Sequence, residues 1–243
     1  MEKSRIGQHI SHQFNEEIGD LRNKVLIMGG LVEQQTVDAV EAVVTGNIDL
    51  AEDVVQSDKT VNALEQEIDG DCLLIIAKRQ PAAFDLRLLI GISKTITELE
   101  RIGDQATRIA EMAFKLEETN RDLSEFRELK HLSELVRNIL HDALNAFARL
   151  DIESSVEILS RDKEIDQEYI SVFRQLTLSM MEDNRNIKRA LNIMAVIRAL
   201  ERTGDHACNV CDYVIYAVKG EDVRHMDEAD IKQAVLGAKD SCP

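Results

Sequence analysis

Apolar residues recur at spacings of three and four along almost the whole chain. This spacing places side chains along one face of an α-helix, so it predicts helices that each bury an apolar side. A clear example is the run Leu89, Ile92, Ile96, Leu99 and Ala106. No segment shows the sustained alternation of apolar and polar residues that is typical of a half-buried strand. The pattern therefore predicts an all-α fold.

Interruptions of the pattern divide the chain into six long helices. They lie near Gly46-Asn47, Gln80-Pro81, Thr119-Asn120, Leu150-Asp151 and Asp183-Asn184. Only two prolines occur, Pro81 and the C-terminal Pro243, so little else would interrupt a helix. The segment 118–128 is interpreted as a linker or as the first turns of the fourth helix. Beyond residue 223, the apolar residues Ile231, Ala234 and Val235 predict a short extra helix.

The second half of the sequence repeats features of the first half. Residues 100–106 (Glu-Arg-Ile-Gly-Asp-Gln-Ala) recur 101 residues later as residues 201–207 (Glu-Arg-Thr-Gly-Asp-His-Ala). Residues 58–62 likewise match residues 162–166 at an offset of 104. We therefore predict two tandem, pseudo-symmetric three-helix bundles, residues 7–118 and 121–220, followed by a C-terminal tail, residues 221–243.

Each copy of the repeated segment carries two acids four residues apart, Glu100 with Asp104 and Glu201 with Asp205. Positions i and i+4 lie on one helical face, where two carboxylates repel each other unless a cation lies between them. A simple salt bridge or a solvated face is the competing interpretation for each pair. Four residues after Asp205, Asn209 offers a carbonyl oxygen as a further ligand. Oxygen ligands favour Mg²⁺, Ca²⁺, Mn²⁺ or iron.

Two glycines accompany these acids inside predicted helices, Gly103 and Gly204. Glycine within a helix costs about 1 kcal/mol relative to alanine. A repeated glycine at such a position therefore predicts the close approach of a neighbouring helix or a ligand.

The composition limits the classes of partner. The net charge is −16 and the isoelectric point is near 4.8. Nucleic-acid binding depends on cationic contacts with phosphate groups, so this balance argues against it. Divalent cations and basic protein surfaces are the expected partners. No apolar run reaches the roughly 18 residues that cross a bilayer, and residues 1–13 lack an apolar signal core, which predicts a cytoplasmic protein.

Signatures of catalysis are missing from the sequence, so we predict no catalytic and no cofactor-binding residues. There is no glycine-rich phosphate loop and no Gly-x-Ser-x-Gly segment. Gly29-Gly30 lies within a helical run and is interpreted as a packing point. Glu128-x-x-His131 is a lone match to the di-iron pattern, which needs two copies. Cys208 and Cys211 lie inside a helical pattern without a second pair, so we interpret them as buried thiols.

The twin Glu-Arg-x-Gly-Asp-x-Ala motif, on the third helix of each predicted bundle, resembles the PhoU family of bacterial phosphate-uptake regulators. The resemblance covers roughly residues 8–226. Further matching segments are 12–15 (His-Gln-Phe-Asn), 28–32 (Met-Gly-Gly-Leu-Val), 79–82 (Arg-Gln-Pro-Ala), 85–88 (Asp-Leu-Arg-Leu), 180–183 (Met-Met-Glu-Asp) and 223–225 (Val-Arg-His).

This resemblance implies a non-enzymatic, homodimeric adaptor that restrains the phosphate-starvation response and limits phosphate uptake. Its implied partners are the ATPase subunit of the phosphate transporter and the sensor histidine kinase of the phosphate regulon, so that contact with the membrane is indirect. It also implies that Mg, Mn, Zn or Fe ions bind through the motif acids, here Glu100, Asp104, Glu201 and Asp205, with Asn209 as a further ligand.

One residue departs from the family pattern. The family often has asparagine four residues after the motif aspartate, as at Asn209, whereas the first half has Arg108. An ion pair of Arg108 with Asp104 would neutralise the first site, so the sequence favours the second site for metal. Two alternative functions remain open: a metal-dependent helical hydrolase and a metal-buffering protein, each using the duplicated Glu-x-x-x-Asp clusters.

Overall fold

A computed structural model describes residues 2–116 and 123–237. Its helices are α1 (Glu2–Thr45), α2 (Ile48–Arg79), α3 (Phe84–Leu116), α4 (Leu123–Arg149), α5 (Ile152–Glu182), α6 (Ile187–Lys219) and α7 (Glu228–Leu236), with a short 3₁₀ turn (Asn184–Asn186) before α6. The described residues contain no strand. The predicted all-α fold with six long helices is confirmed, and α7 is the short extra helix predicted in the tail. The predicted break near Thr119-Asn120 lies outside the described residues.

The ends of the helices follow from local chemistry at the predicted breaks. The Asn47 side chain accepts a hydrogen bond from the Leu50 amide and so caps α2. Asp151 caps α5 in the same way, accepting from the amides of Glu153 and Ser154. Helix α6 ends at Gly220, whose φ of 81° lies in the left-handed region that glycine adopts without strain.

The two repeats are arranged around a central pair of helices. Helix α3 packs between α1 and α2, helix α6 packs between α4 and α5, and α3 packs extensively against α6. Contacts between α1 and α4 add to this interface. Leu99 of α3 and Leu200 of α6 belong to the same buried cluster, so one continuous core joins both bundles. None of the described helices is long and apolar enough to cross a membrane.

Close helix contacts occur at the glycines that the sequence singled out. A Cβ at Gly204 would lie 2.7 Å from Ile165 Cδ1 of α5, and one at Gly103 would lie 3.4 Å from Val61 Cγ1 of α2. A Cβ at Gly29 would overlap Leu144 of α4. The predicted close approach of a neighbouring helix is therefore confirmed at Gly204 and the predicted packing point at Gly29, whereas a Cβ at Gly103 would make only ordinary van der Waals contacts. The acid that follows each glycine, Asp104 or Asp205, lies near an acid on the second helix of its own bundle.

Gly204→Ala is expected to cost about 1–3 kcal/mol of unfolding free energy, because the new methyl group overpacks against Ile165. Ile165→Val removes the Cδ1 atom that clashes, so the same substitution should cost much less in that background. A double-mutant cycle by urea denaturation measures this coupling. Gly103→Ala is the matched control: its contacts are ordinary and alanine favours helix, so we expect a change below about 1 kcal/mol. An equal cost of Gly204→Ala in both backgrounds would contradict the contact.

Candidate metal sites and the polar interface between the repeats

Each repeated acidic pair faces acids on the second helix of its own bundle. We define the first carboxylate cluster by five side chains: Asp58, Asn62 and Glu65 of α2 with Glu100 and Asp104 of α3. The second carboxylate cluster consists of Asp162 and Asp166 of α5 with Glu201 and Asp205 of α6. Gly103 lies between the two motif acids in sequence, and Asp58 Oδ1 would lie 3.5 Å from a Cβ on that glycine. The structure thus brings the four predicted acids Glu100, Asp104, Glu201 and Asp205 into two separate, similar groups.

Partial burial and repulsion among the carboxylates of the first cluster raise the pKas of Asp58 and Glu100. Partial burial and the charge of Asp104 raise the pKa of Asp58, although a hydrogen bond from Asn62 opposes this. Partial burial also raises the pKa of Glu100, with further contributions from Asp104, Glu65 and Asp58. Several carboxylates that share one small volume destabilise their charged forms unless a cation compensates them.

The second cluster shows the same behaviour more strongly. Loss of hydration, followed by the charges of Glu201, Asp162 and Asp166, raises the pKa of Asp205 to about 6. Burial and Asp166 likewise raise the pKas of Asp162 and Glu201. Both clusters therefore have the electrostatic character of a site for a positive ion.

Buried oxygen atoms without a donor provide an independent test of whether a cation fits. In the first cluster, Asp58 Oδ1 and Asn62 Oδ1 are buried and accept no hydrogen bond, and neither does the adjacent Gln35 Oε1 of α1. Unsatisfied buried acceptors are costly, and oxygen atoms of this type are the ligands that hard cations prefer. The residues of the first cluster therefore fit a divalent cation in their chemistry.

The present side-chain positions do not form a closed metal cage. Among the described residues, no three His, Cys, Asp or Glu side chains converge closely enough to hold a metal ion. Binding would have to draw the carboxylates together, or recruit water and amide oxygens such as that of Asn62. The metal assignment from the sequence therefore stays a prediction.

Asn209 and Arg108 do not have the surroundings that the sequence suggested. The Asn209 amide donates to Glu98 Oε2 at 3.1 Å, across the interface between the two bundles. Arg108 Nη1 donates to Gln105 Oε1 at 3.4 Å, and no ion pair joins it to Asp104 among the described residues. The expected ion pair of Arg108 with Asp104 was therefore wrong. The reason is that both residues face the contact between α3 and α6 instead of α2 or α5. The preference for the second site stays a prediction.

A buried carboxylate, which no pattern in the sequence marks, lies at the centre of that contact. The Glu98 side chain is only 5% exposed, and His206 Nδ1 lies 2.7 Å from its Oε2 atom. Tyr213 Oη donates to Glu98 Oε1 at 3.3 Å, and Arg101 Nη1 lies at the same distance from that oxygen. Burial alone would raise the pKa of Glu98, but the hydrogen bonds from His206 and Asn209 and the charges of His206 and Arg101 lower it. We call this group the Glu98 network.

The internal repeat contained a signal for the α2 and α5 acids. Asp58 and Asn62 correspond to Asp162 and Asp166 in the alignment of the halves, and both pairs are four residues apart. That spacing puts them on one helical face, as in the Glu-x-x-x-Asp motif. By contrast, the cysteines were interpreted correctly: Cys208 and Cys211 are free and buried, and burial raises the pKa of each thiol well above its ordinary value.

Comparison with known proteins agrees with the architecture of two repeats around these clusters. The family model described as PhoU domain matches twice, at residues 25–113 and 129–214. The phosphate-specific transport system accessory protein PhoU of Escherichia coli (strain K12) is 46% identical over 244 residues, covering 99% of each chain. Its homolog from Pseudomonas putida is 47% identical over 92% of this chain and 88% of the relative. The chain belongs to the PhoU family.

Solved structures of the family have the same fold. The crystal structure of PhoU from Pseudomonas aeruginosa matches with a TM-score of 0.82 at 45% identity, over 86% of this chain and all of that one. The phosphate transport system regulatory protein PhoU from Streptococcus pneumoniae matches with a TM-score of 0.80 at 27% identity, over 86% of this chain and 99% of that one.

Proposed function

We propose that this protein is a non-enzymatic negative regulator of the phosphate-starvation response that limits phosphate uptake. It acts as an adaptor between the ATPase subunit of a phosphate transporter and the sensor histidine kinase of the phosphate regulon. The observation that carries this proposal is the similarity along essentially the full length of both chains to relatives named phosphate-specific transport system accessory protein. The Streptococcus pneumoniae relative is described as regulatory, which supports the same class.

The geometry of the candidate sites supports an adaptor more than a hydrolase. Each carboxylate cluster consists of oxygen ligands, and the imidazole of His206, the residue after Asp205, lies 2.7 Å from Glu98 Oε2. A metal-dependent hydrolase needs a general base or a charged group aimed at the substrate beside its metal. An adaptor needs only differential binding to two states of its partners, which a rigid helical protein with partner-specific surfaces can supply.

The proposal includes metal binding by both clusters. Divalent or ferric ions (Mg, Mn, Zn or Fe) would be held by Glu100 and Asp104 in the first cluster and by Glu201 and Asp205 in the second. The facing acids Asp58 and Asp162 complete the two sites. Asn209 is not needed as a ligand, since its side-chain amide already donates a hydrogen bond to Glu98. A bound cation would offset the carboxylate repulsion and so fix the spacing of α2 against α3 and of α5 against α6. We place the protein in the cytoplasm as a homodimer.

Deleting the gene tests the regulatory proposal directly. Without the adaptor, the kinase loses a contact that stabilises its inhibited state, so starvation genes should be expressed even when phosphate is abundant. The measurement is an alkaline phosphatase reporter in high phosphate, in the deletion strain with and without a plasmid copy of the wild-type gene. We expect high reporter activity that the plasmid copy restores to the basal level.

A purification from membrane-containing lysate separates the adaptor from its alternatives. The tagged protein should recover the transporter ATPase and the histidine kinase, and elution without either protein would contradict the adaptor role. A silent reporter in the deletion strain would contradict the regulatory role as a whole. A metal-buffering protein would instead change the metal tolerance of the strain and leave the reporter unaffected.

A further inference from the structure

The contact between α3 and α6 contains two positions that the internal repeat relates to each other. At one of them the Glu98 network fills the space between the helices with a buried carboxylate. The equivalent of Glu98 in the second repeat, 101 residues later, is Ala199. A groove of about 270 Å³ lies there, lined by Ala199 together with residues of both helices. The groove is thus the repeat-related counterpart of the Glu98 network with its carboxylate removed.

The groove keeps hydrogen-bond donors at the places of the groups that hold Glu98. At the offset of 101 residues, Gln105 is equivalent to His206 and Arg108 is equivalent to Asn209. Arg202 is equivalent to Arg101 by the same offset. All three side chains line the groove. In the Glu98 network the corresponding groups lie 2.7–3.3 Å from the carboxylate oxygens. Met112 stands at the position equivalent to Tyr213 and has no donor, so three of the four donors around Glu98 have a polar counterpart in the groove, although only one place contains a carboxylate from the chain itself.

The charge of the groove is opposite to that of the protein. Three arginines, Arg108, Arg198 and Arg202, line it together with a single acid, Glu111, although the whole chain has a net charge of −16. Arg108 donates a hydrogen bond to Gln105. The charges of Arg198 and Arg202 lower the pKa of the Glu201 carboxyl group. None of the three forms an ion pair with a carboxylate in the part of the chain that the structure describes. Guanidinium groups in such a position bind oxyanions through paired N–H donors.

We propose that this groove binds a carboxylate group supplied from outside the chain, either by a small free dicarboxylate or by an acidic side chain of a partner protein. In the groove beside Ala199, this external carboxylate occupies the position that the Glu98 carboxylate occupies in the Glu98 network. The ligand is a carboxylate because that is the group which the equivalent donors hold within this same structure. The proposal does not depend on the regulatory function proposed above, since it concerns a different surface from the carboxylate clusters.

Isothermal titration of the full-length protein tests the site with three probes: malonate, a hexaglutamate peptide and inorganic phosphate, all at one ionic strength. We expect malonate to bind with saturation below about 10 mM. Replacing Arg108 and Arg202 together by methionine should weaken this binding at least about tenfold, because the methionines keep the apolar stems but remove the donors. Arg174→Met, at an exposed arginine of α5, is the matched control and should leave the affinity unchanged.

Ala199→Glu is the decisive variant, because it places in the groove the same side chain that fills the related site. This glutamate should pair with Arg108 and Arg202 and abolish malonate binding. Circular dichroism checks that the variant folds, and the double methionine variant keeps the proposal testable if it does not. Malonate binding that persists in Ala199→Glu, or that keeps the wild-type affinity in the methionine variant, would overturn the proposal, as would the absence of saturation in the wild type.

The probes also identify the source of the ligand. Tighter binding of hexaglutamate than of malonate supports an acidic side chain of a partner protein. Equal or weaker binding of the peptide supports a free small carboxylate. Inorganic phosphate that binds more tightly than both would overturn the assignment to a carboxylate.

Discussion

Glu98→Ala is expected to lower the free energy of unfolding by about 3–5 kcal/mol at pH 7. The substitution removes the acceptor at the centre of the interface and leaves His206, Asn209 and Tyr213 without their partner. Tyr213 is buried while His206 and Asn209 are half-buried, and a fully buried donor that loses its partner costs about 1–3 kcal/mol. The loss should be cooperative for the whole protein, since one continuous core joins the two bundles.

Urea denaturation followed by circular dichroism measures this effect, and pH provides a second test. Since the pKa of Glu98 lies below its ordinary value of 4.5 in the folded protein, its ionised form stabilises the fold above that value. This contribution disappears as pH falls through the folded pKa, so wild type and variant should converge in acid. Glu164→Ala, at an exposed position of α5, is the control and should change stability by less than about 0.5 kcal/mol. A loss below about 1 kcal/mol for Glu98→Ala would show that the network does not hold the bundles together.

Neutralising the four motif acids is expected to abolish metal binding. The variant carries Glu100→Gln, Asp104→Asn, Glu201→Gln and Asp205→Asn, which preserve shape and remove charge from both clusters. Each pair changed by itself should reduce the bound metal by a similar amount. Among the described residues Arg108 donates to Gln105 and forms no ion pair with Asp104, and the first cluster has buried acceptors without donors.

The same variant should be more stable than the wild type when both are free of metal. The raised pKa of Asp205, about 6, means that the folded state binds its proton more tightly than the unfolded state. The contribution of Asp205 to the stability of the metal-free protein therefore increases as pH falls from above 6 towards 4, and protons compete with metal in that window. In the neutralised variant this pH dependence should be weaker, because the repulsion among the carboxylates has been removed.

Elemental analysis after reconstitution and thermal unfolding with and without metal check the two parts of this prediction. Glu164→Gln with Glu168→Gln is the matched control: it neutralises an acidic pair at the same spacing on α5, outside both clusters. Full metal content in the variant with four substitutions would contradict the assignment. A much larger loss from the second pair than from the first would restore the preference for the second site that the sequence suggested.

The helices and their repetition could be predicted because both depend on local pattern. An apolar face at spacings of three and four determines a helix wherever it occurs, and capping residues such as Asn47 and Asp151 end it within a few positions. The four motif acids and the two glycines were found for the same reason, since an i, i+4 pair lies on one helical face whatever surrounds it. Even the facing acids Asp58 and Asp162 were visible in the alignment of the halves.

The partner of each polar side chain was decided by the tertiary structure. Whether Asn209 binds a metal or donates to Glu98 depends on how α6 is rotated about its axis against α3. Asn209 and Glu98 lie 111 positions apart in sequence. The same rotation places Ala199 in the groove that Arg108 lines. No local pattern contains that information, because the rotation minimises exposed apolar surface summed over all the helices of the shared core.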